Sequence, residues 1–315
     1  MTEQQCKAFT KLGSNSKTMS SHHNLMTAQD FASKRILSIA FGKCLRVGFG
    51  YLTGTNELHF EIVHEDNSKR ITRSRGLLEM EKIAASLRER VEGLGASCGE
   101  KIYITWTRHW QAQDCQQIIE KALPNKEIVV IPAIQALVAG VFQEPPHRSA
   151  IIIVDLGRGT MWAVVDGTNI VGKGDTPAGS DHIVSDLSIG LKIPLREAEA
   201  LMRDTRNLIA SGNPEDSPET IGSCISEIAV ARMAELLEVP RNQITPSKLL
   251  PNTEAQVLLA SDMWGINQFD AFAAKTFGCP VQNLSSFMPQ EANRETEWML
   301  WYGLLRIGLG ATPFC

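Results

Sequence analysis

The sequence predicts an α/β protein in which one βββα theme is used twice, and two observations carry this. From Arg35 the chain reads as three strand-like runs (ILSIAF, CLRVGFGYL and LHFEIVHE), an amphipathic helix, the strand KIYITW, a helix, the strand EIVVI and a short apolar helix. That order is β-β-β-α-β-α-β-α. The second half opens in the same way. In IIIVDLGRGTMWAVV, from Ile151 to Val165, apolar runs flank a tight glycine turn and predict a β-hairpin, with a third strand near Ile170 to Gly174 and helices beyond it.

Each element has a local reason. The first strands are separated by the Gly42-Lys43 corner and the Gly54-Thr55-Asn56 turn. Leu77, Met80, Ile83, Ala84, Leu87, Val91 and Leu94 recur at helical spacing and define one apolar face, stopped by Gly95. Gln111 to Ala122 and Ala133 to Phe142 predict two further helices. In the second half, Ser217-Pro218-Glu219 supplies an N-cap, a proline at the first helical position and an acid in the first turn. The helix it opens carries Ile221, Ile225, Ile228, Met233, Leu236 and Leu237 inward. Arg241 to Asn252 reads as a polar connection, Gln256 to Leu259 as a buried strand, Asn267 to Thr276 as a helix and Glu297 to Ile307 as the last helix. Met1 to Lys34 is polar and without periodicity, which predicts a flexible N-terminal tail. The expected division is a tail over 1–34, a first domain over 35–146 and a second over 147–315, with the hinge near Gln143 to Arg148.

Composition narrows the function classes. The chain has 315 residues, 43% of them hydrophobic, enough for one large or two medium cores. A net charge of −4 argues against nucleic acid as the partner. Seven cysteines are scattered without a C-x-x-C pair, which disfavours zinc or a disulfide framework and points to a cytoplasmic location. No apolar run is long enough to cross a bilayer, and the N-terminus lacks the apolar core of a signal peptide, so no direct membrane insertion is expected.

The hairpin holds the chemistry. Gly157 and Gly159 can turn backbone N–H groups into one small space, as phosphate-binding loops do. Asp155 at the strand end can hold a hydrated Mg²⁺, and Thr160 can donate to a phosphate oxygen. The alternative is an ordinary hairpin whose glycines only permit positive φ. The stretch IVDLGRGTMWAVVDG resembles the phosphate-2 hairpin of the actin-like ATPase superfamily, which includes sugar kinases, heat-shock 70 kDa chaperones, actin, MreB and FtsA. The following AGSDHIVSDLSIGLKIPLREAEALMR resembles FtsA and PilM, where a small-residue turn leads into a helix, a short connection and a second helix beginning near an Ala-Glu pair. The resemblance covers roughly residues 34 to 310. It implies duplicated βββαβαβα halves of the actin-like, ribonuclease H-like kind around a central cleft, with ATP and Mg²⁺ as the cofactors to test.

Against that family's five nucleotide elements the sequence departs repeatedly. At the phosphate-1 position it reads Ile39-Ala40-Phe41-Gly42-Lys43, so the turn glycine is kept but Ala40 replaces the metal-orienting acid; Lys43 can return some positive charge. In the first connecting helix, IPAIQALVAG, Ile131 falls where a Glu or Gln would face the attacking water, and Gln135 lies one turn later. Phosphate-2 keeps Asp155, Gly157, Gly159 and Thr160, with Arg158 in place of a glycine, either clamping a phosphate or obstructing it. The adenosine loop reads Leu259-Ala260-Ser261-Asp262-Met263-Trp264-Gly265-Ile266, and only Gly265 of its glycines survives. The second connecting helix, WYGLLRIGLG, is preserved in pattern and reads as buried. The extra subdomain of FtsA and PilM is missing between KIYITW and EIVVI, which makes the chain more similar to a minimal chaperone-type or EutJ-like core.

The resemblance therefore implies a cofactor site of Gly42, Lys43, Asp155, Gly157, Arg158, Gly159, Thr160 and Gly265, with Asp155 as the metal ligand and no assigned catalytic residue. The expected function is a non-hydrolysing scaffold or adaptor in a cytoskeletal, division or pilus-like assembly, with protein partners and self-assembly. The alternative is an active ATPase or chaperone-like protein with an altered phosphate site.

Overall fold

The structure is a computed structural model. It describes residues 36–42, 45–52, 58–66, 77–93, 101–108, 110–210, 221–244, 255–261, 269–284, 298–310, 312 and 314. The expected N-terminal tail and the Ser217-Pro218-Glu219 helix start lie outside these residues.

The chain divides into two compact units, Met1–Glu144 with Ser285–Cys315 and Pro145–Leu284. The C-terminal segment thus groups with the N-terminal unit, an association that a linear division at residue 147 leaves out.

The first unit contains β1 (Ile36–Phe41), β2 (Leu45–Leu52), β3 (Leu58–Asp66), α1 (Leu77–Gly93), β4 (Lys101–Trp106), α2 (Ala112–Ala122), β5 (Glu127–Val130) and α3 (Ala133–Val141). Its sheet runs β3-β2-β1-β4-β5. The β1–β2 and β2–β3 pairs are antiparallel, whereas β1–β4 and β4–β5 are parallel. Period-two alternation sends Leu37, Ile39, Phe41, Val47, Ile102 and Ile104 to one face, where they pack with Met80, Ala84, Leu87 and Val91 of α1 and Cys115, Ile118 and Ile119 of α2.

The chain's last helix, α8 (Trp298–Leu309), also belongs to this unit and packs on α3, β1, β2 and β4. Glycines set how near α3 and α8 come. A Cβ on Gly303 would lie 1.7 Å from the Ala136 carbonyl oxygen, and one on Gly140 would lie 2.1 Å from the Met299 carbonyl oxygen. Backbone therefore meets backbone at this crossing, and α8 is buried along nearly its whole length, as its apolar sequence predicts.

The second unit contains β6 (Ala150–Asp155), β7 (Thr160–Asp166), β8 (Asn169–Thr176), α4 (Asp181–Gly190), α5 (Leu195–Ala210), α6 (Ile221–Ile244), β9 (Gln256–Ala260), α7 (Phe269–Phe277) and β10 (Val281–Asn283). Its sheet runs β10-β9-β6-β7-β8, the same order as the first sheet when strands are counted within each unit. The β6–β7 and β7–β8 pairs are antiparallel, and β6–β9 and β9–β10 parallel. All six residues of β6 are buried, as its continuous apolar run predicts for a central strand. One face packs Ile151, Ile153, Trp162, Val164, Val257 and Leu259 against Ile183, Leu187, Met202, Met233 and Leu237.

Two details depart from the sequence reading. Helix α6 runs through Pro240 to Ile244, so Arg241 to Ile244 is helical rather than a polar connection. Ile244 is buried in the core, and Gln243 accepts a 2.9 Å hydrogen bond from the Trp162 indole, contacts that outweigh the local proline signal. Strand β10, only three residues long, was not expected at all.

The Trp162 indole is seated over Gly174, its cross-strand partner, with ring atoms 2.5 Å from where a Cβ would stand. Gly174→Ala is therefore expected to push the ring from its place and cost about 1–2 kcal/mol. Thermal unfolding with tryptophan fluorescence as the probe measures this, and an unchanged midpoint would show that the indole has room to shift.

Candidate functional site

The candidate site lies at the carboxyl ends of β6 and β9, the parallel pair at the centre of the second sheet. Open α/β sheets bind ligands at such ends because the strands stop there and loops take over. Asp155 is the last residue of β6 and pairs with Thr160, the first of β7, across the turn Leu156-Gly157-Arg158-Gly159. Gly157 adopts φ +81, the left-handed conformation that favours glycine at this corner.

The turn folds onto the start of α4. The Asp181 amide donates to the Gly157 carbonyl at 2.9 Å. A Cβ on Gly179 would stand 2.1 Å from that same carbonyl oxygen, so the small-residue turn Ala178-Gly179-Ser180 is what lets the two segments touch. Beside the Gly157 Cα lies the Asp181 carboxylate, its oxygens within 2.8 and 2.9 Å of a notional Cβ there.

Asp155 is buried, and both of its carboxylate oxygens accept hydrogen bonds. Oδ1 accepts from the amides of Gly157 at 2.9 Å and Ser180 at 3.0 Å. Oδ2 accepts from the Ser261 hydroxyl at 2.8 Å. Burial pushes this carboxyl above its ordinary value, while the Ser180 amide, the Ser261 hydroxyl and the Gly157 amide pull it down; burial wins. The Thr160 hydroxyl donates to the Ala178 carbonyl at 2.8 Å, and Thr176 reaches the same oxygen at 3.3 Å. Among the turn amides, Leu156 donates to Gly159 and Arg158 to Leu156. Arg158 itself is half-buried.

Of the sequence-predicted residues, Asp155, Gly157, Arg158, Gly159 and Thr160 thus stand together in one unit. Gly42 stands in the other, at the end of β1, where its carbonyl accepts a 2.7 Å hydrogen bond from the Trp110 indole, which also packs edge-on against Phe41. Lys43 and Gly265 lie outside the described residues, as do Asp262 and Trp264. Gln135 sits in the first turn of α3 with its amide bonded to the Pro132 carbonyl, and the Ile131 amide donates to Ile104.

Ala40 is 3% exposed, and its lateral neighbours in the sheet are Arg46 on β2 and Thr105 on β4, both buried. The Arg46 neighbour was not foreseen. A register count across the hairpin could have found it, since Phe41 pairs with Leu45 and Ala40 therefore with Arg46. Ser180 and Ser261 as partners of Asp155 were also missed, because they come from segments 25 and 106 residues away.

Among the described residues no cluster of three or more His, Cys, Asp or Glu side chains forms a metal site, and no helix is long and apolar enough to cross a membrane.

Solved structures decide the architecture. The ethanolamine utilization protein EutJ of Carboxydothermus hydrogenoformans matches with a TM-score of 0.53 at 16% identity, over 86% of this chain and 90% of that one. The PilM-PilN complex of type IV pilus biogenesis matches with 0.54 at 9% identity, over 88% and 97%. An MreB protein of Spiroplasma citri bound to AMPPNP matches with 0.54 at 10% identity, over 86% and 94%. The fold is actin-like. No family model matches the sequence, and no curated relative does. At these identities the likeness extends to the fold, whose two sheets share one strand order, and function must be argued from the site.

Proposed function

We propose that this chain is an actin-like protein that no longer hydrolyses ATP and acts as a scaffold or adaptor in a protein assembly. The observation that carries this reading is the state of Asp155, whose two oxygens both accept protein hydrogen bonds. Magnesium binds carboxylate oxygens directly or through its tightly held waters. Of the carboxylate's roughly four acceptor positions, those of Oδ1 are taken by two amides and one on Oδ2 by a hydroxyl, which leaves a single position on Oδ2 for a metal-bound water. This occupancy supports the reading that Asp155 holds protein segments rather than a hydrated Mg²⁺.

Other residues point the same way. Ala40 has no oxygen to offer a metal, and the buried Arg46 beside it brings positive charge to the row where the resemblance implies an acid. The Thr160 hydroxyl is engaged as a donor to the Ala178 carbonyl. The Asp181 carboxylate beside Gly157 would repel a phosphate. Nucleotide affinity is accordingly weak in this reading, with Gly42, Lys43, Gly157, Arg158, Gly159 and Gly265 as the residues left to make any contact.

Partner binding is the remaining use of the fold. One similar structure is a complex of PilM with PilN, which supports protein partners as a class for this chain. The similar MreB structure holds AMPPNP, and that favours the second reading, an ATPase with altered phosphate contacts.

Two measurements on the purified chain separate these readings. Light scattering against concentration is expected to show self-association, and ATP turnover is expected to stay at background with or without Mg²⁺. A steady Mg²⁺-dependent turnover of about one per second, within the ordinary range of enzymes, from a protein that stays monomeric would overturn the scaffold reading in favour of the ATPase.

A further inference from the structure

We infer that Asp155 is the hub of a metal-independent latch that joins three chain segments, with Ser261 as the residue that closes it. This deepens the scaffold reading, since it states what the carboxylate does in place of metal binding.

The three segments are the β6–β7 turn, the start of α4 and the end of β9. Gly157 in the turn and Ser180 before α4 both donate to Oδ1, at 2.9 and 3.0 Å. Ser261, immediately after β9, donates to Oδ2 at 2.8 Å. The placement of Ser261 follows from register: β6 and β9 run parallel with Val154 beside Ala260, so the next residue of each strand, Asp155 and Ser261, come side by side. A carboxylate suits this position because it alone among side chains of its length accepts on both oxygens. The donors on Gly157, Ser180 and Ser261 join the three segments through the one carboxylate.

The buried setting makes each bond count. A donor or acceptor that loses its partner away from water forfeits its solvation as well as the bond. The Gly157 and Ser180 amides would both be stranded without an acceptor, and those amides fix the turn and the start of α4.

Asparagine separates a latch from a metal ligand. In Asp155→Asn the side-chain oxygen can keep both amides while its NH₂ donates to the Ser261 oxygen, since a hydroxyl accepts as well as donates. The latch is then rewired with its geometry intact, whereas a metal ligand would be lost. Ser261→Ala removes the hydroxyl that ties the end of β9 to the carboxylate.

The test is thermal unfolding of the full chain, as wild type, Asp155→Asn and Ser261→Ala, each in excess MgCl₂ and in EDTA. Expected are the same wild-type midpoint in both solutions, an Asp155→Asn midpoint within about 3 °C of wild type, and a fall of roughly 3–10 °C for Ser261→Ala. A wild-type midpoint raised by Mg²⁺, with the rise abolished in Asp155→Asn, would make Asp155 a metal ligand and overturn the inference. A Ser261→Ala midpoint equal to wild type would overturn it too, by showing that the hydroxyl closes nothing. At one fixed protein concentration, an unchanged Ser261→Ala midpoint would end the latch and leave the scaffold reading standing, whereas Mg²⁺ binding at Asp155 would weaken both, and light scattering with ATP turnover then decides the scaffold reading separately.

Discussion

Replacing Gly303 with alanine is expected to be among the most destabilising single-methyl changes available to this chain. The new Cβ would stand 1.7 Å from the Ala136 carbonyl oxygen, 2.7 Å from its carbon and 2.8 Å from the Gly140 amide nitrogen. All three are backbone atoms of a helix, so no side-chain rotation makes room. The helices must move apart, and the separation would disturb two segments that are buried almost throughout, Ala136–Val141 on α3 and Trp298–Arg306 on α8. Overpacking commonly costs 1–3 kcal/mol where side chains can yield. Here backbone has to yield, and the expected cost is about 3 kcal/mol or more, a fall of roughly 6–12 °C in the unfolding midpoint. Circular dichroism melts of wild type and Gly303→Ala test it. Gly310→Ala is a useful contrast, because a Cβ there meets no atom within 4 Å and only its φ of +72 is strained. Equal effects from the two exchanges would mean that the close crossing is not what matters.

Much of the fold is legible in the sequence, because its signals are local. The short apolar runs of β1 and β6, the apolar face of α1 and the glycine corner at Gly157 each report their structure within a few residues. Repetition of the βββ opening made the duplication legible, and the two sheets do share one strand order. Elements held by distant contacts were not readable in this way. Helix α6 passes Pro240 because Ile244 and Gln243 find partners in the sheet, and β10 exists because it pairs with β9. The site shows the same division. Its hairpin and the acid at the end of β6 were evident from pattern, whereas the partners of that acid come from α4 and β9 and leave no local trace. Absence of the acid at Ala40 was visible in the sequence, but the arginine beside it became visible only through strand register.

Arg306 is the other such case, and its loss is expected to be costly. Helix α3 ends at Val141, and Phe142 beyond it is already extended, its amide donating to the Val138 carbonyl. The last carbonyls of a helix have no partner within the helix and must find one elsewhere. Arg306 from α8 reaches one of them and the two carbonyls just beyond the helix: Nη1 donates to the carbonyls of Ala139 and Phe142, and Nη2 donates to that of Gln143 at 3.0 Å. A cation at a helix C-terminus is also favoured by the helix dipole. The opposing effect is desolvation, which pushes the Arg306 guanidinium below its ordinary pKa while the nearby Tyr302 raises it again. Buried charges are sometimes replaced by apolar groups of equal size at little cost, but only where no polar partner is stranded. Arg306→Met strands three carbonyls, and at 1–3 kcal/mol for each unsatisfied buried group the net loss, after the relief of desolvation, is expected to be about 3 kcal/mol. Arg306→Lys should fall between the two, since an ammonium retains the charge but not the fork that spans three oxygens. Ranked melting midpoints in the order wild type, Arg306→Lys, Arg306→Met, together with faster amide hydrogen exchange in the last turn of α3, are the expected results. If Arg306→Met melted at or above the wild type, desolvation would outweigh the cap and the arginine would be a burden on the fold.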